Sequence, residues 1–170
     1  HRQRVIPNDN NSNSYNDTIT LLELEQALAS CKGSSPGPDE IHYEMIKQGD
    51  VKGKKTVLEL YNEIYDKGQV PKTWKHSLVI PIKKPGKDPR HSSHYRPISL
   101  TSCLSKILER ILNRRLQWTL ESRHLLNEYQ SGFRRKRGTT DNIIYLTDEI
   151  QKSFIEQKQT VAIFIDIKKA

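Results

Sequence analysis

Asp166 follows the apolar run Val161-Ala162-Ile163-Phe164-Ile165. A carboxylate there cannot sit ionised in an apolar core without a partner or a metal. At the end of a buried strand it is a natural ligand for Mg2+, which takes one or two carboxylates together with phosphate oxygens and water. The plainer alternative is an aspartate that caps the next turn. Lys83, Lys84 and Arg96 form a second group. On two paired strands they can converge on a triphosphate, arginine through bidentate hydrogen bonds and lysine as a point charge, or they can be solvated sheet charges. A third group, Gln130-Ser131-Gly132-Phe133, sets a permissive glycine beside an aromatic ring able to stack on a base. Its plain alternative is a loop with one core aromatic. Four cations, Arg134-Arg135-Lys136-Arg137, follow directly. Nothing among His42, His76, His91, His94 and His124 has metal-ligand spacing.

The elements that would carry these groups are legible in the periodicity. Residues 1–19 are rich in Asn, Ser and Asp and read as a linker or frayed tail. Thr20 with Glu23 makes a capping-box pattern, and Leu21, Leu24 and Leu28 follow at helical spacing until Gly33. Ser34 to Asp39 is a rigid proline-glycine loop. A short helix is expected near Glu40–Lys47 and a longer one over Lys54–Lys67, stopped by Gly68. Ser77–Lys83 reads as a strand near a sheet edge because of Pro81, and His94–Leu100 as its hairpin partner across a turn at Lys84–Pro89.

Helix resumes over Leu104–Leu120, with Arg110, Arg114 and Arg115 mostly outward. After a loop at Gln130–Thr140, Thr139 or Thr140 caps a helix whose core face is Ile143, Leu146, Ile150 and Phe154. Thr160–Ile167 reads as a fully buried strand ending in Asp166. Helices, a hairpin, more helix and a buried strand make an α+β fold. The expected division is a helical segment over residues 20–76, a hairpin-bearing segment over 77–159 and a first strand of a second sheet over 160–170.

Charge agrees with a polyanionic partner. The chain carries a formal net charge of +8, yet Lys72–Gly138 alone holds 16 basic and 4 acidic residues. A basic middle between mildly acidic flanks is the footprint of nucleic acid, whose phosphates supply most non-specific affinity through Lys and Arg. Only 34% of the residues are apolar, which points to a thin core. The longest apolar run is the five residues Val161–Ile165, too short to span a membrane. Cys31 and Cys103 lie far apart in sequence and neither has a zinc-ligand neighbour, so a disulfide scaffold is excluded.

Taken in order, the motifs resemble the opening motifs of non-LTR (LINE-type, jockey-like) retrotransposon reverse transcriptases. They are Ser35-Pro36-Gly37-Pro38-Asp39; Trp74-Lys75 with Val79 to Lys87; Tyr95-Arg96-Pro97-Ile98-Ser99-Leu100; Ser105 to Leu112; Gln130 to Arg134 with Gly138-Thr139-Thr140-Asp141; and Phe164-Ile165-Asp166-Ile167-Lys168-Lys169-Ala170. Six collinear motifs span residues 20–170. The resemblance implies right-hand polymerase fingers with the beginning of the palm, truncated before the catalytic Asp-Asp hairpin. It implies an RNA template, a DNA primer and a deoxynucleoside triphosphate as partners, two Mg2+ ions in the intact enzyme, and residence in nucleus and cytoplasm as a ribonucleoprotein.

By the same resemblance, Lys83 or Lys84 meets the triphosphate and Arg96 its phosphate or base, and the Pro36–Asp39 loop contacts template or primer. Gln130, Gly132 and Phe133 line the template and nucleotide site, Arg134, Arg135, Lys136 and Arg137 track backbone phosphate, and Asp166 is the first catalytic carboxylate and metal ligand. The chain contains no Asp-Asp pair, so it reads as a fragment that carries one metal ligand and makes no DNA alone. Two other readings stand beside it: a relic that acts only as a basic nucleic-acid-binding module, and a reverse transcriptase of the group II intron type.

Overall fold

Thr20 and Glu23 satisfy each other's backbone at the first helix. Thr20 Oγ1 accepts from the Glu23 N–H at 3.3 Å, and Glu23 Oε2 accepts from the Thr20 N–H at 2.9 Å. This reciprocal cap starts α1 (Leu21–Ala29). The computed structural model describes residues 16–167. Beyond α1 it contains α2 (Tyr43–Lys47), α3 (Val51–Lys67), β1 (Leu78–Lys83), β2 (Tyr95–Leu100), α4 (Cys103–Ser122) and α5 (Thr139–Ile155). Short 3-10 turns at Lys72–Lys75 and Ser92–His94 precede the two strands. Helices with one small antiparallel sheet agree with the α+β expectation, and every expected element boundary before residue 156 lies within a few residues of the observed one. Asp50 caps α3 by accepting from the Gly53 N–H at 2.7 Å, and Gly68 ends it in the left-handed conformation at φ 62°.

The chain divides after Trp118 into two compact units. The core of the first unit is helical. Leu24, Ala27 and Leu28 of α1 pack with Cys31, with Tyr43 and Ile46 of α2, with Tyr61 and Ile64 of α3, and with Cys103, Ile107, Leu108 and Ile111 of α4. Tyr61 is fully buried. Its hydroxyl donates to the Leu104 carbonyl at 2.8 Å, and its ring meets Trp74 edge-on at 6.3 Å. A buried phenol needs such a partner, and burial holds its hydroxyl far above the usual tyrosine range.

Gly37 is buried as well, against the segment that joins β2 to α4. A Cβ on it would lie 2.6 Å from both the Ser102 amide nitrogen and the Thr101 carbonyl carbon. The proline-glycine loop is therefore fitted backbone-to-backbone onto the end of the hairpin, which explains a glycine between two prolines.

Five expectations need correction. The tail expected over 1–19 runs too far: Ile19 is a core residue, its N–H donates to Asn62 Oδ1 at 2.6 Å, and its carbonyl accepts from Asn62 Nδ2 at 3.0 Å. Residues 1–15 lie outside the described residues, as do Lys168, Lys169 and Ala170. The arginines of α4 do not point mostly outward. Arg115 forks onto Glu23 at 2.6 and 2.8 Å and also reaches the Thr18 carbonyl, Arg114 donates to Gln26 Oε1 at 3.0 Å, and Arg110 reaches the Ser30 carbonyl. Acceptors along α1 and its C-terminal cap lie along the same side of α4, so these cations cross-link two helices.

The cap of α5 is Gly138, whose N–H donates to Asp141 Oδ2 at 2.6 Å, and not Thr139 or Thr140. The apolar face of α5 exists but is not buried: Ile143 is 62% and Phe154 76% exposed. Thr160–Ile167 is neither strand nor buried, with Val161 at 82% and Ile165 at 88% exposure. Both differences have one cause. A strand requires a ladder partner, and β1–β2 is the sheet found among the described residues. An amphipathic helix requires a second apolar surface, and the second unit has no buried apolar residue among its described residues.

Candidate functional site

Within the first unit, β1 and β2 pair antiparallel with Ile82 opposite Arg96 and Lys83 opposite Tyr95. The Lys84 N–H extends the ladder by donating to the His94 carbonyl at 2.8 Å. Side chains directly opposite share a face, and successive ones alternate. Arg96 therefore shares its face with Ile82, and Lys84 continues that face diagonally across from it. Lys83 stands on the other face with Tyr95. The Lys84 ammonium donates to the Ser93 carbonyl at 2.8 Å, which folds this side chain over the hairpin's closing segment. That segment is braced by Arg90 on Asp88, by the Tyr95 hydroxyl on the Pro89 carbonyl at 3.0 Å, and by a 2.8 Å contact between His94 Nδ1 and the Asp88 carbonyl. Arg96 and Lys83 are exposed. So are Leu78, Val79, Ile80, Ile82 and Ile98, so both faces of the hairpin are open.

Within the second unit, the loop after α4 is built around one arginine. Arg134 forks onto Glu121, Nε to Oε1 at 2.8 Å and Nη2 to Oε2 at 2.6 Å. Its Nη1 donates to the Asn127 carbonyl at 2.8 Å and to the Gln130 carbonyl at 3.3 Å. Its side chain is only 9% exposed. The paired charges hold the Glu121 carboxyl below, and the Arg134 guanidinium above, their ordinary values. Arg137 donates to the Glu128 carbonyl. Ser131, buried, donates to Asn142 Oδ1 of α5 at 2.7 Å, and Tyr129 meets Tyr145 of α5 edge-on at 5.7 Å. Beside these contacts lies an open, mainly polar cavity of about 400 Å3, lined by His124, Tyr129, Arg134 and Arg137 among others.

What the loop presents outward differs from what holds it. Phe133 is 99% exposed and adopts φ 61°, a backbone state that bulky residues rarely occupy. Lys136 adopts φ 58°, and both it and Arg135 are exposed. Gln130 turns back on its own loop, its side-chain amide donating to the Gly132 carbonyl at 3.3 Å. The four cations expected to act alike thus divide: Arg134 and Arg137 bind loop carbonyls, while Arg135 and Lys136 face solvent.

Asp166 is exposed. Among the described residues no group of three or more His, Cys, Asp and Glu side chains could hold a metal ion. One carboxylate is one ligand, so the residues described do not fit a two-ion centre. No helix among the described residues is long and apolar enough to cross a membrane.

Sequence reasoning missed Glu121, Asn142 and the Tyr129–Tyr145 pair. The Glu121–Arg134 separation matches no helical or strand period, so only the loop's own path brings them together.

Comparison with known proteins bears on both units. Residues 82–170 match the family described as "Reverse transcriptase (RNA-dependent DNA polymerase)". The chain is 34% identical over 153 residues to the probable RNA-directed DNA polymerase from transposon BS of Drosophila melanogaster, a match covering 89% of this chain and 17% of that protein. It is 29% identical over 153 residues to the RNA-directed DNA polymerase from mobile element jockey of the same species, again over 89% and 17%. It is 30% identical over 152 residues to the Retrovirus-related Pol polyprotein from type-1 retrotransposable element R2 of Popillia japonica, covering 89% of this chain and 20% of the relative. The chain thus spans about a fifth or less of the length of these relatives.

Proposed function

Because the chain belongs to the reverse transcriptase (RNA-dependent DNA polymerase) family, we propose that it is the part of an RNA-directed DNA polymerase of a non-LTR retrotransposon that grips the incoming nucleotide and the template. In the intact protein the reaction is nucleotidyl transfer, in which a primer 3′-hydroxyl attacks the α-phosphate of a deoxynucleoside triphosphate. The observation that carries the reading is the β1–β2 register, which gives Arg96 and Lys84 one common face. On that face a guanidinium can fork onto phosphate oxygens while an ammonium adds a point charge. Catalysis of phosphoryl transfer is largely positioning and charge stabilisation, which is the work such a pair performs.

The loop supplies the template side. Phe133 offers a ring to a base and Arg135 with Lys136 offers charge to the backbone, which suits recognition of a single strand irrespective of sequence. Asp166 contributes one carboxylate to the reacting centre. Divalent-metal chemistry there needs further carboxylates from the parent polypeptide, so the 170-residue chain alone makes no DNA. The test is primer extension on an RNA template by the parent polypeptide carrying Asp166→Asn. Loss of extension with template binding retained is expected. Extension at the unsubstituted rate would remove Asp166 from the reacting centre, and extension by the 170-residue chain itself would overturn the division of labour.

A further inference from the structure

Arg134 sits in a run of four cations and, by position alone, reads as one more contact to phosphate. Its surroundings are those of an internal strut. Its guanidinium engages two carboxylate oxygens of Glu121, at the end of α4, and two carbonyls of its own loop, Asn127 and Gln130. Those four contacts use all three guanidinium nitrogens, and the side chain is 9% exposed. The carbonyls it holds flank the turn in which the Tyr129 N–H donates to Asn127 Oδ1 at 2.9 Å and the Gln130 N–H to the Asn127 carbonyl at 3.1 Å. The residue immediately before it, Phe133, stands 99% exposed in a left-handed backbone state. Such a conformation persists only where neighbouring contacts over-determine it. Ser131 on Asn142 supplies one anchor on the N-terminal side of Phe133, and Arg134 on Glu121 supplies the other on the C-terminal side.

We infer that Glu121 and Arg134 are positioning residues for the template loop: their ion pair, not phosphate binding, is what Arg134 contributes, and it holds Phe133 out for base stacking while Arg135 and Lys136 carry the phosphate contacts. This rests on the proposed template role of the loop. Glu121 is the decisive partner, because its carboxylate has opposite consequences under the two assignments. As an anchor it is required for binding. As a competitor for a phosphate-binding Arg134 it inhibits binding, and its neutralisation strengthens binding.

The test uses the full 170-residue chain, a single-stranded RNA oligonucleotide bearing 2-aminopurine, and the variants Glu121→Gln, Arg134→Gln and Phe133→Ala. Stacking on an aromatic side chain contributes about 1–3 kcal/mol per base, so affinity should fall roughly 5- to 150-fold in each variant. The quench of 2-aminopurine should be lost in all three, while the slope of log affinity against log salt stays that of the unsubstituted chain, since Arg135 and Lys136 remain. Hydrogen exchange at the Tyr129 and Gln130 amides should accelerate at least tenfold in Glu121→Gln and Arg134→Gln but not in Phe133→Ala.

The inference is overturned if Glu121→Gln tightens binding, or if Arg134→Gln flattens the salt slope by about 0.7, the value for one lost single-strand phosphate contact. If the unsubstituted chain binds no RNA, the template reading fails. The exchange arm then decides the positioning claim alone, with unchanged protection in both variants overturning it.

Discussion

Lys83 and Arg96 stand on opposite faces of the same hairpin. Arg96 lies across from Ile82, Lys83 across from Tyr95, and the ladder continues through the Lys84 N–H to the His94 carbonyl. Two adjacent lysines that are equivalent in the sequence are therefore separated by the pleat, and only Lys84 shares the face of Arg96.

Triphosphate affinity should follow that separation. Hydrogen bonds to charged groups are worth about 1.5–3 kcal/mol, so Arg96→Ala and Lys84→Ala should each weaken binding of a deoxynucleoside triphosphate roughly 10- to 150-fold, with Lys83→Ala near neutral. Equilibrium titration with a fluorescent nucleotide measures all three. A larger loss in Lys83→Ala than in Lys84→Ala would assign the triphosphate to the other face.

Gly37 should not tolerate a methyl group. An added Cβ meets the backbone of Thr101 and Ser102 at 2.6 Å, and no side chain there can swing aside. Overpacking of this kind costs roughly 1–3 kcal/mol. Gly37→Ala should therefore lower Tm by several degrees, whereas Gly33→Ala, with open space around its Cβ position, should not. Thermal melts followed by circular dichroism compare them, and equal Tm values would mean that the loop is not seated on the β2–α4 junction.

The first unit should lose stability in acid through one ion pair. The Arg115 guanidinium, followed by the Thr20 cap, holds the Glu23 carboxyl at about 2, below its ordinary 4.5. A carboxylate depressed in the folded state contributes stability that is complete above about 4.5 and is lost as pH falls towards 2. Because the pair is partly exposed, screening leaves roughly 1 kcal/mol of that. Glu23→Gln should lower stability at pH 7 and remove this part of the acid dependence in urea melts taken from pH 7 to pH 2. A pH dependence identical to that of the unsubstituted chain would show that Arg115 does not hold Glu23.

The sequence made the framework readable where local chemistry decides structure. The Thr20–Glu23 cap, the Gly68 stop, the Pro81 edge strand and the turn between the strands each follow from side chains within a few residues. The hairpin was readable, but its register, and with it the separation of Lys83 from Lys84, was not. Long-range matters were not readable. Nothing local distinguishes Arg115, which braces Glu23, from an outward arginine, or Arg134, held by Glu121, from Arg135 in the next position. Likewise Val161–Ile165 has the composition of a buried strand, but burial belongs to a pairing partner and not to the segment. The candidate site was thus legible as a set of residues, while which of its cations the fold itself holds depends on partners distant in sequence, such as Glu121 for Arg134.

Template engagement through Arg135 and Lys136 is tested most directly by the salt dependence of single-stranded RNA binding by the 170-residue chain, compared with the double variant Arg135→Ala/Lys136→Ala. The expected result is a linear fall of log affinity with log salt that flattens by about 1.4 in the double variant, the loss for two single-strand phosphate contacts. A salt-independent affinity, or a slope untouched by removing both cations, would contradict the assignment of this loop to the template.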